Sequence, residues 1–305
     1  DSFTLRNSKR NANGKESDEW KAEIVNSEGK TVRTRKENGT APSDFTWDGT
    51  DNEGKRVPDG SYSFRLSSRD EAGNQASSEV RGIIVNTSKP AVAIAADETV
   101  ISPNGDGARD TLHIVSSVES FDGLESWRVF VLDPERKEVW TVSGAGDSHP
   151  DASYLFSGRS SKGEVLADGQ YEAGIELRYV NGYSPQKLSA PFYMDRTPPS
   201  ATIALADANT VFSPDGDGNR DNFTFAFSGS EEDTWNLVIR DSKKNEKVVR
   251  RYAQILPEAL EWNGKDDQGR VVPDGDYEVY VFAVDRAGNS FATTSKSVRV
   301  DTRRP

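Results

Sequence analysis

Apolar and polar residues alternate along most of this chain. Tyr62, Phe64 and Leu66 interleave with Ser61, Ser63 and Arg65, and Phe223, Phe225 and Phe227 with Thr224 and Ala226. A period of two turns one face of an extended strand to a core and the other to water. Asp-Gly, Asn-Gly and Ala-Gly-Asn bound these stretches, and such residues accept the positive φ of tight hairpin turns. No run of ten or more residues has clean 3.6-residue apolar spacing, so the pattern predicts strands and no helix. In the last third of the chain it predicts seven, near 201–206, 222–228, 234–240, 246–252, 259–262, 276–284 and 291–300.

The pattern recurs with a period of about 108 residues. Trp20, Trp127 and Trp235 each precede alternating apolar residues. Trp47-Asp48-Gly49 is matched by Phe156-Ser157-Gly158 and Trp262-Asn263-Gly264, and Pro58-Asp59-Gly60-Ser61-Tyr62 by Ala167-Asp168-Gly169-Gln170-Tyr171 and Pro273-Asp274-Gly275-Asp276-Tyr277. Asp70-Glu71-Ala72-Gly73-Asn74 pairs with Asp285-Arg286-Ala287-Gly288-Asn289, weakened in the middle copy to Tyr179-Val180-Asn181-Gly182. Each copy ends on a related string: Val85 to Pro90, Met194 to Pro199 and Val300 to Pro305. Seven short strands in about 105 residues describe an immunoglobulin-like sandwich. The fold expected is therefore all-β: three tandem immunoglobulin-like antiparallel β-sandwich domains, at 1–89, 90–198 and 199–305, in an elongated array. Prolines stiffen the joints, and strands of 20–25 Å would give a rod on the order of 100 Å. Asp1-Ser2-Phe3 aligns with Asp110-Thr111-Leu112 and Asp221-Asn222-Phe223. The first domain is thus expected to lack its first strand and to be the least stable, and the chain to be a window on a longer array.

Composition agrees with several small domains. The apolar share is about 39% once glycine is counted and tyrosine left out, below the about 45–50% of one large core. The formal charge is −12, which disfavours nucleic acid and anionic membranes as partners. There is no cysteine, hence no disulfide, thiolate metal site or cysteine nucleophile. Apolar runs such as Val279 to Val284 fall far short of a membrane span.

Candidate chemistry gathers in two loops, Ser102-Pro103-Asn104-Gly105-Asp106-Gly107-Ala108-Arg109-Asp110 and Ser213-Pro214-Asp215-Gly216-Asp217-Gly218-Asn219-Arg220-Asp221. Ca²⁺ takes several oxygens from a tight loop that turns on glycine. In the third copy, Ser213, Asp215, Asp217, Asn219 and Asp221 place oxygens at positions one, three, five, seven and nine, like nine-residue Asp-rich calcium loops. Ser102, Asn104, Asp106 and Asp110 are the poorer second set, and Asp1 alone would remain in the first copy. The alternative is a tight turn closed by Asp221 on backbone N–H groups. Asp48, Asp59, Asp70 and Asp274 recur beside glycine and read as turn builders. His113 and His149 do not recur, which disfavours a histidine metal site or a Ser–His triad. Trp20, Trp127 and Trp235 read as core, unrepeated Trp140 as an exposed contact, and Arg33, Arg35 and Lys36 as a solvated strand edge.

The set Ser-Pro-Asn/Asp-Gly-Asp-Gly-x-Arg-Asp, Trp-Asp/Asn-Gly, Asp-Gly-x-Tyr and Asp-x-Ala-Gly-Asn resembles the immunoglobulin-like domain of the bacterial flagellar hook-capping protein. Residues 102–110 and 213–221 match that family's loop. Phe156-Ser157-Gly158 and Tyr179 to Gly182 depart from it, so the middle copy is expected to pack these turns differently. Repeats similar to this domain occur in large exported bacterial proteins. The resemblance implies a non-enzymatic, extracytoplasmic spacer of a larger envelope or surface protein, at the periplasm or cell surface, with neighbouring domains of a longer chain as partners. No catalytic residue is assigned. The alternative is an adhesin-type or carbohydrate- or protein-binding module that meets an envelope or host-surface ligand through loops such as 143–152.

Overall fold

A computed structural model describes residues 2–6, 19–39 and 42–303. Asp1, Arg304 and Pro305, on which some terminal expectations rest, lie outside them. No helix forms among the described residues, and none is therefore long and apolar enough to cross a membrane. The chain divides into two compact units, Asp1–Pro90 and Ala91–Pro305.

In the first unit, Thr31–Asn38, Glu19–Asn26, Gly60–Arg69 and Gln75–Val85 form an antiparallel sheet in that order, and Phe3–Arg6 pairs with Asp44–Trp47 in a second. Alternation does what the sequence suggests. Ile24, Phe45, Trp47, Tyr62, Phe64 and Ile83 are buried between the sheets, while Thr31–Asn38 carries Arg33, Arg35 and Lys36 along an outer edge. Arg35 pairs with Glu37 and Lys36 with Glu19, so charge blunts an edge open to further pairing.

The second unit holds the middle and third repeats, each around its own apolar cluster. In the third, Ala201–Leu205, Phe223–Gly229 and Ala259–Trp262 make one sheet. The other runs Glu246–Gln254, Glu232–Asp241, Gly275–Val284, Lys296–Val300 and Val211–Phe212, with Ser290–Ala292 also on Gly275–Val284. The middle repeat has the same plan: Ser153–Phe156, Leu112–Val118 and Val92–Ala96 against Glu138–Ala145, Leu124–Leu132, Gly169–Tyr179, Phe192–Met194 and Val100–Ile101. Two facing sheets with mainly antiparallel pairing make each an immunoglobulin-like sandwich. The small sheet of the first unit has two strands among the described residues and no counterpart of Val92–Ala96.

The seven predicted strands of the third repeat are all present, with two differences. Val211–Phe212 is an added strand, parallel to Lys296–Val300; two residues are too few for alternation to register. The expected strand 291–300 is two, Ser290–Ala292 and Lys296–Val300. Thr293 lies at the break and accepts the Val281 N–H on its own hydroxyl at 3.1 Å, substituting for a backbone partner.

Aromatic assignments shift as well. Trp127 and Trp235 are core, but Trp20 is only half-buried. Trp140 is not an exposed contact: it packs on the middle core, edge-on to Phe156 at 6.0 Å and to Tyr154 at 6.1 Å. Phe156 stands where the other repeats have Trp47 and Trp262, and Trp140 contributes indole bulk beside it from the facing sheet. The departures at 156–158 and 179–182 keep the common backbone. Leu166 N–H donates to Gly158 O at 3.0 Å as Val272 does to Gly264 O at 2.9 Å, and Gly182 N–H closes on Tyr179 O as Gly288 does on Asp285 O. Only the side chains differ, with Tyr179 and Tyr183 where the third repeat has Asp285 and Asn289.

Candidate functional site

The repeated polar positions act on the chain's own backbone. In Pro58 to Tyr62 and its two counterparts, the tyrosine hydroxyl donates to the carbonyl four residues back: Tyr62 to Pro58 at 2.7 Å, Tyr171 to Ala167 at 2.8 Å and Tyr277 to Pro273 at 2.6 Å. The aspartate between them reaches the end of its own repeat. Asp59 accepts from the Thr87 N–H and hydroxyl at 2.8 and 2.9 Å, Asp274 from those of Thr302 at 3.0 and 2.9 Å, and Asp168 from the Thr197 hydroxyl at 2.8 Å and Arg196 Nε at 3.1 Å. These carboxylates clasp the outgoing segment. Sequence reasoning treats Asp59 and Asp274 as turn builders and misses the threonine, although the pair recurs at separations of 28 or 29 residues. Asp48 and Asp70 do build turns, through Thr50 and Asn74.

Residues 102–110 form a rigid loop. Gly105 and Gly107 hold φ of 88° and 90°, which aims their N–H groups inward at the Asp110 carboxylate, at 2.7 and 2.8 Å. A side chain would strain that backbone. Asn104 accepts from Asp106 N–H, and Asp106 from Ala108 N–H, at 2.9 and 2.7 Å. Ser102 N–H closes the loop on Arg109 O at 2.8 Å.

This loop seats the third repeat's turn. Asn289 Oδ1 accepts the Ser102 hydroxyl at 2.5 Å and Asn104 Nδ2 at 2.9 Å. Its Nδ2 donates to Asp195 O at 2.9 Å and to its own turn's Asp285 Oδ2 at 2.8 Å. A primary amide offers two donor hydrogens and two acceptor lone pairs, and all four are used. Ser102 and Asn289 are each 1% exposed. Arg109 Nη1 reaches the Arg286 carbonyl at 2.6 Å, while Ala287 is buried and Gly288 lies against Ala108 and Arg109. The sequence marked Asn289 only as part of a turn; its partners Ser102 and Asn104 lie more than 180 residues away, beyond any local signal.

Asp195 runs beneath this joint. Burial raises its carboxyl above the ordinary aspartate value, and the nearby Asp285 and Asp168 charges add to the effect. Its Oδ1 accepts the Thr197 N–H at 3.0 Å, and Pro199 is buried two residues further on.

Residues 213–221 repeat the loop scaffold. Asp221 caps Gly216 and Gly218 N–H at 2.7 and 2.8 Å, and Asp215 and Asp217 accept from Asp217 and Asn219 N–H at 3.2 and 2.8 Å. Asp215, Asp217 and Asp221 bring carboxylate oxygens within 4.8 Å of one another. Of the nine residues expected to bind metal, the structure thus gathers three carboxylates in one loop. In the other it directs Ser102 and Asn104 to Asn289 and Asp110 to backbone amides.

Residues 10–72 match the family model of the FlgD Ig-like domain. No curated protein matches the chain. Among solved structures, it is similar to the tetra-tandem repeat in the extending region of a large adhesion protein, at 18% identity over 95% of this chain and 68% of that one, with a TM-score of 0.38. It is also similar to a Ca²⁺-stabilised adhesin that helps an Antarctic bacterium reach out and bind ice (15% identity, 98% and 68% covered, TM-score 0.35). Chicken CNTN1 FN1–FN3 domains give 13% identity, 98% and 94% coverage and a TM-score of 0.31.

Proposed function

We propose that this chain is a non-enzymatic, extracytoplasmic structural segment of a larger bacterial envelope or surface protein. Its domains, bounded at 1–89, 90–198 and 199–305, act as spacers, and the joint between the second and third is locked by a turn seated in a loop. The observation that carries this reading is the saturated Asn289 amide: two donors and two acceptors, all paired, in a buried contact between repeats. A partly satisfied buried amide would favour opening, whereas a fully satisfied one fixes geometry. Spin labels in the middle and third repeats of the full chain provide the test. A single narrow distance distribution is expected, broadened by Asn289→Ala; a broad distribution in the unaltered chain would overturn the lock. The rival binding module predicts hits on glycan and host-protein arrays that vanish when loop 143–152 is altered, and the spacer predicts none.

A second reading attaches to the 213–221 loop alone, supported by the proximity of its three carboxylates. Ser213, Asp215, Asp217, Asn219 and Asp221 would hold Ca²⁺, a hard cation suited to oxygen ligands, and the ion would supply loop rigidity, not reaction chemistry. Calorimetric titration should find one site, lost in Asp217→Ala. No heat with the unaltered chain would remove calcium from the account.

A further inference from the structure

We propose that the third repeat holds a docking cleft for a neutral aromatic ring of indole size, presented as a side chain of a partner polypeptide. The cleft measures about 580 Å³, within the usual range of ligand pockets. Val248, Leu260 and Trp262 make its floor, and Arg250, Lys265 and Asp267 stand around it. The three repeats treat this place differently. Val248 pairs with Ile239, Trp140 with Val131 and Arg33 with Ile24, each of those partners standing four residues beyond the repeated tryptophan. Residues 33, 140 and 248 therefore hold one position of the sandwich. The loop beside it is clamped alike in every copy. Asn52, Ser161 and Asp267 donate N–H to the outer strand, to Val32 O, Val139 O and Lys247 O at 3.2, 3.0 and 3.0 Å. Their side chains accept the N–H groups of Thr34, Thr141 and Val249 at 2.9, 2.8 and 3.0 Å.

What changes is the side chain laid between strand and loop. The middle repeat lays the Trp140 indole there, against Tyr154 and Phe156. The first lays Arg33, whose guanidinium reaches Thr50 Oγ1 at 3.4 Å and the Asp51 carbonyl. Trp47 is present beside Arg33, so its counterpart Trp262 does not by itself fill the place. Val248 is too short to do so, and the cleft is what remains. The lining chooses between the two kinds of flat group. A guanidinium would meet the Lys265 ammonium where the first repeat offers the Thr50 hydroxyl, whereas an aromatic face attracts a cation at its rim and suits the apolar floor. Asp266 is held by Arg270, and Arg250 and Lys265 are matched by Glu261 and Asp267, so the ring needs no charge. Its source follows from position. In the middle repeat the ring arrives on an extended backbone, and the cleft lies beside Glu246–Gln254, the outer strand of its sheet, where another extended chain can approach.

The full chain labelled with ¹⁵N in its six tryptophans supplies the test. N-acetyltryptophanamide at about millimolar concentration, where one small ring binds, should shift the indole N–H signal of Trp262, held on Lys265 O at 3.0 Å. The signal of Trp47, held on Thr50 O at 2.8 Å in the place that Arg33 covers, should stay unmoved. Val248→Trp supplies the chain's own indole and should abolish the shift. Val248→Arg, which brings in the first repeat's residue, should abolish it too, and the Trp235 signal from the same core reports whether each variant keeps its fold. No shift at Trp262 in the unaltered chain, equal shifts at Trp262 and Trp47, or a shift that survives Val248→Trp overturns the proposal. Free indole that shifts Trp262 where the amide does not would rule out a peptide side chain as the occupant and overturn it as well.

Discussion

Loops 102–110 and 213–221 are the same object in two situations. Both turn on paired glycines, at φ of 88° and 90° in one and 83° and 84° in the other, and both hold an arginine at positive φ, Arg109 at 52° and Arg220 at 55°. In both, one aspartate caps two glycine amides. They part only where side chains leave the loop. Asn104 offers N–H outward and meets Asn289; Asp215 offers only oxygen and stands near two further carboxylates. One atom type at the third position thus separates a seat for an amide from a cluster of anions. The scaffold sets where groups sit, and the residue at its rim sets what they can meet.

The largest effect should come from Asn289. With aspartate there, a carboxylate would face the Asp285 carboxylate and the Asp195 carbonyl where donor hydrogens now sit. An uncompensated buried charge costs about 3–5 kcal/mol, so Asn289→Asp should open the joint. Asn289→Ala leaves the buried Ser102 hydroxyl without its acceptor, at about 1–3 kcal/mol, while the exposed Asn104 amide keeps Asp106. The matching change at Asn74, exposed and bonded only within its own turn, should cost less than about 1 kcal/mol. Denaturant midpoints read together with interdomain distances check the contrast. Equal costs at 74 and 289 would mean that the contact between repeats adds nothing.

That contrast also marks how far the sequence could be read. Strands were legible because alternation is written residue by residue: Phe223, Phe225 and Phe227 are buried as their spacing predicts. The capping role of Asp221 was legible because its partners lie within five residues. Val211–Phe212 was not, since a two-residue strand has no period. Trp140 does not recur and so reads as exposed, yet it packs edge-on beside the smaller Phe156. Asn289 was hidden for a deeper reason: within its own turn it does what Asn74 does, and its second role exists only where another repeat meets it.

A middle-sized effect is expected at the caps. Asp110→Ala and Asp221→Ala each remove two hydrogen bonds from a carboxylate to backbone N–H groups, and should lower stability by similar amounts, about 1–3 kcal/mol. Only Asp110→Ala should also broaden the distance distribution between the middle and third repeats, because only its loop carries a seated turn. Broadening by both would mean that the repeats are coupled through something other than this loop.

The smallest effect sharpens the comparison through pH. Burial, with Asp285 and Asp168 nearby, raises the Asp195 carboxyl, so the folded chain binds that proton more tightly than the unfolded one. Its contribution to stability is therefore fully present below the ordinary aspartate value of about 3.9 and declines as pH rises through the raised value. Asp195→Asn keeps an acceptor for the Thr197 N–H and removes the like charge. At pH 7 it should be the more stable chain by less than about 1 kcal/mol, the site being partly solvated, and the advantage should vanish below about pH 4. The measurement has to be a difference between the two chains. Acidification alone also protonates carboxylates held low in the folded state, such as Asp241 through Asn245 and Glu278 through Lys244 and Arg240, and their loss runs the opposite way. An advantage that stayed constant from pH 7 to pH 4 would show that the Asp195 charge does not oppose the joint.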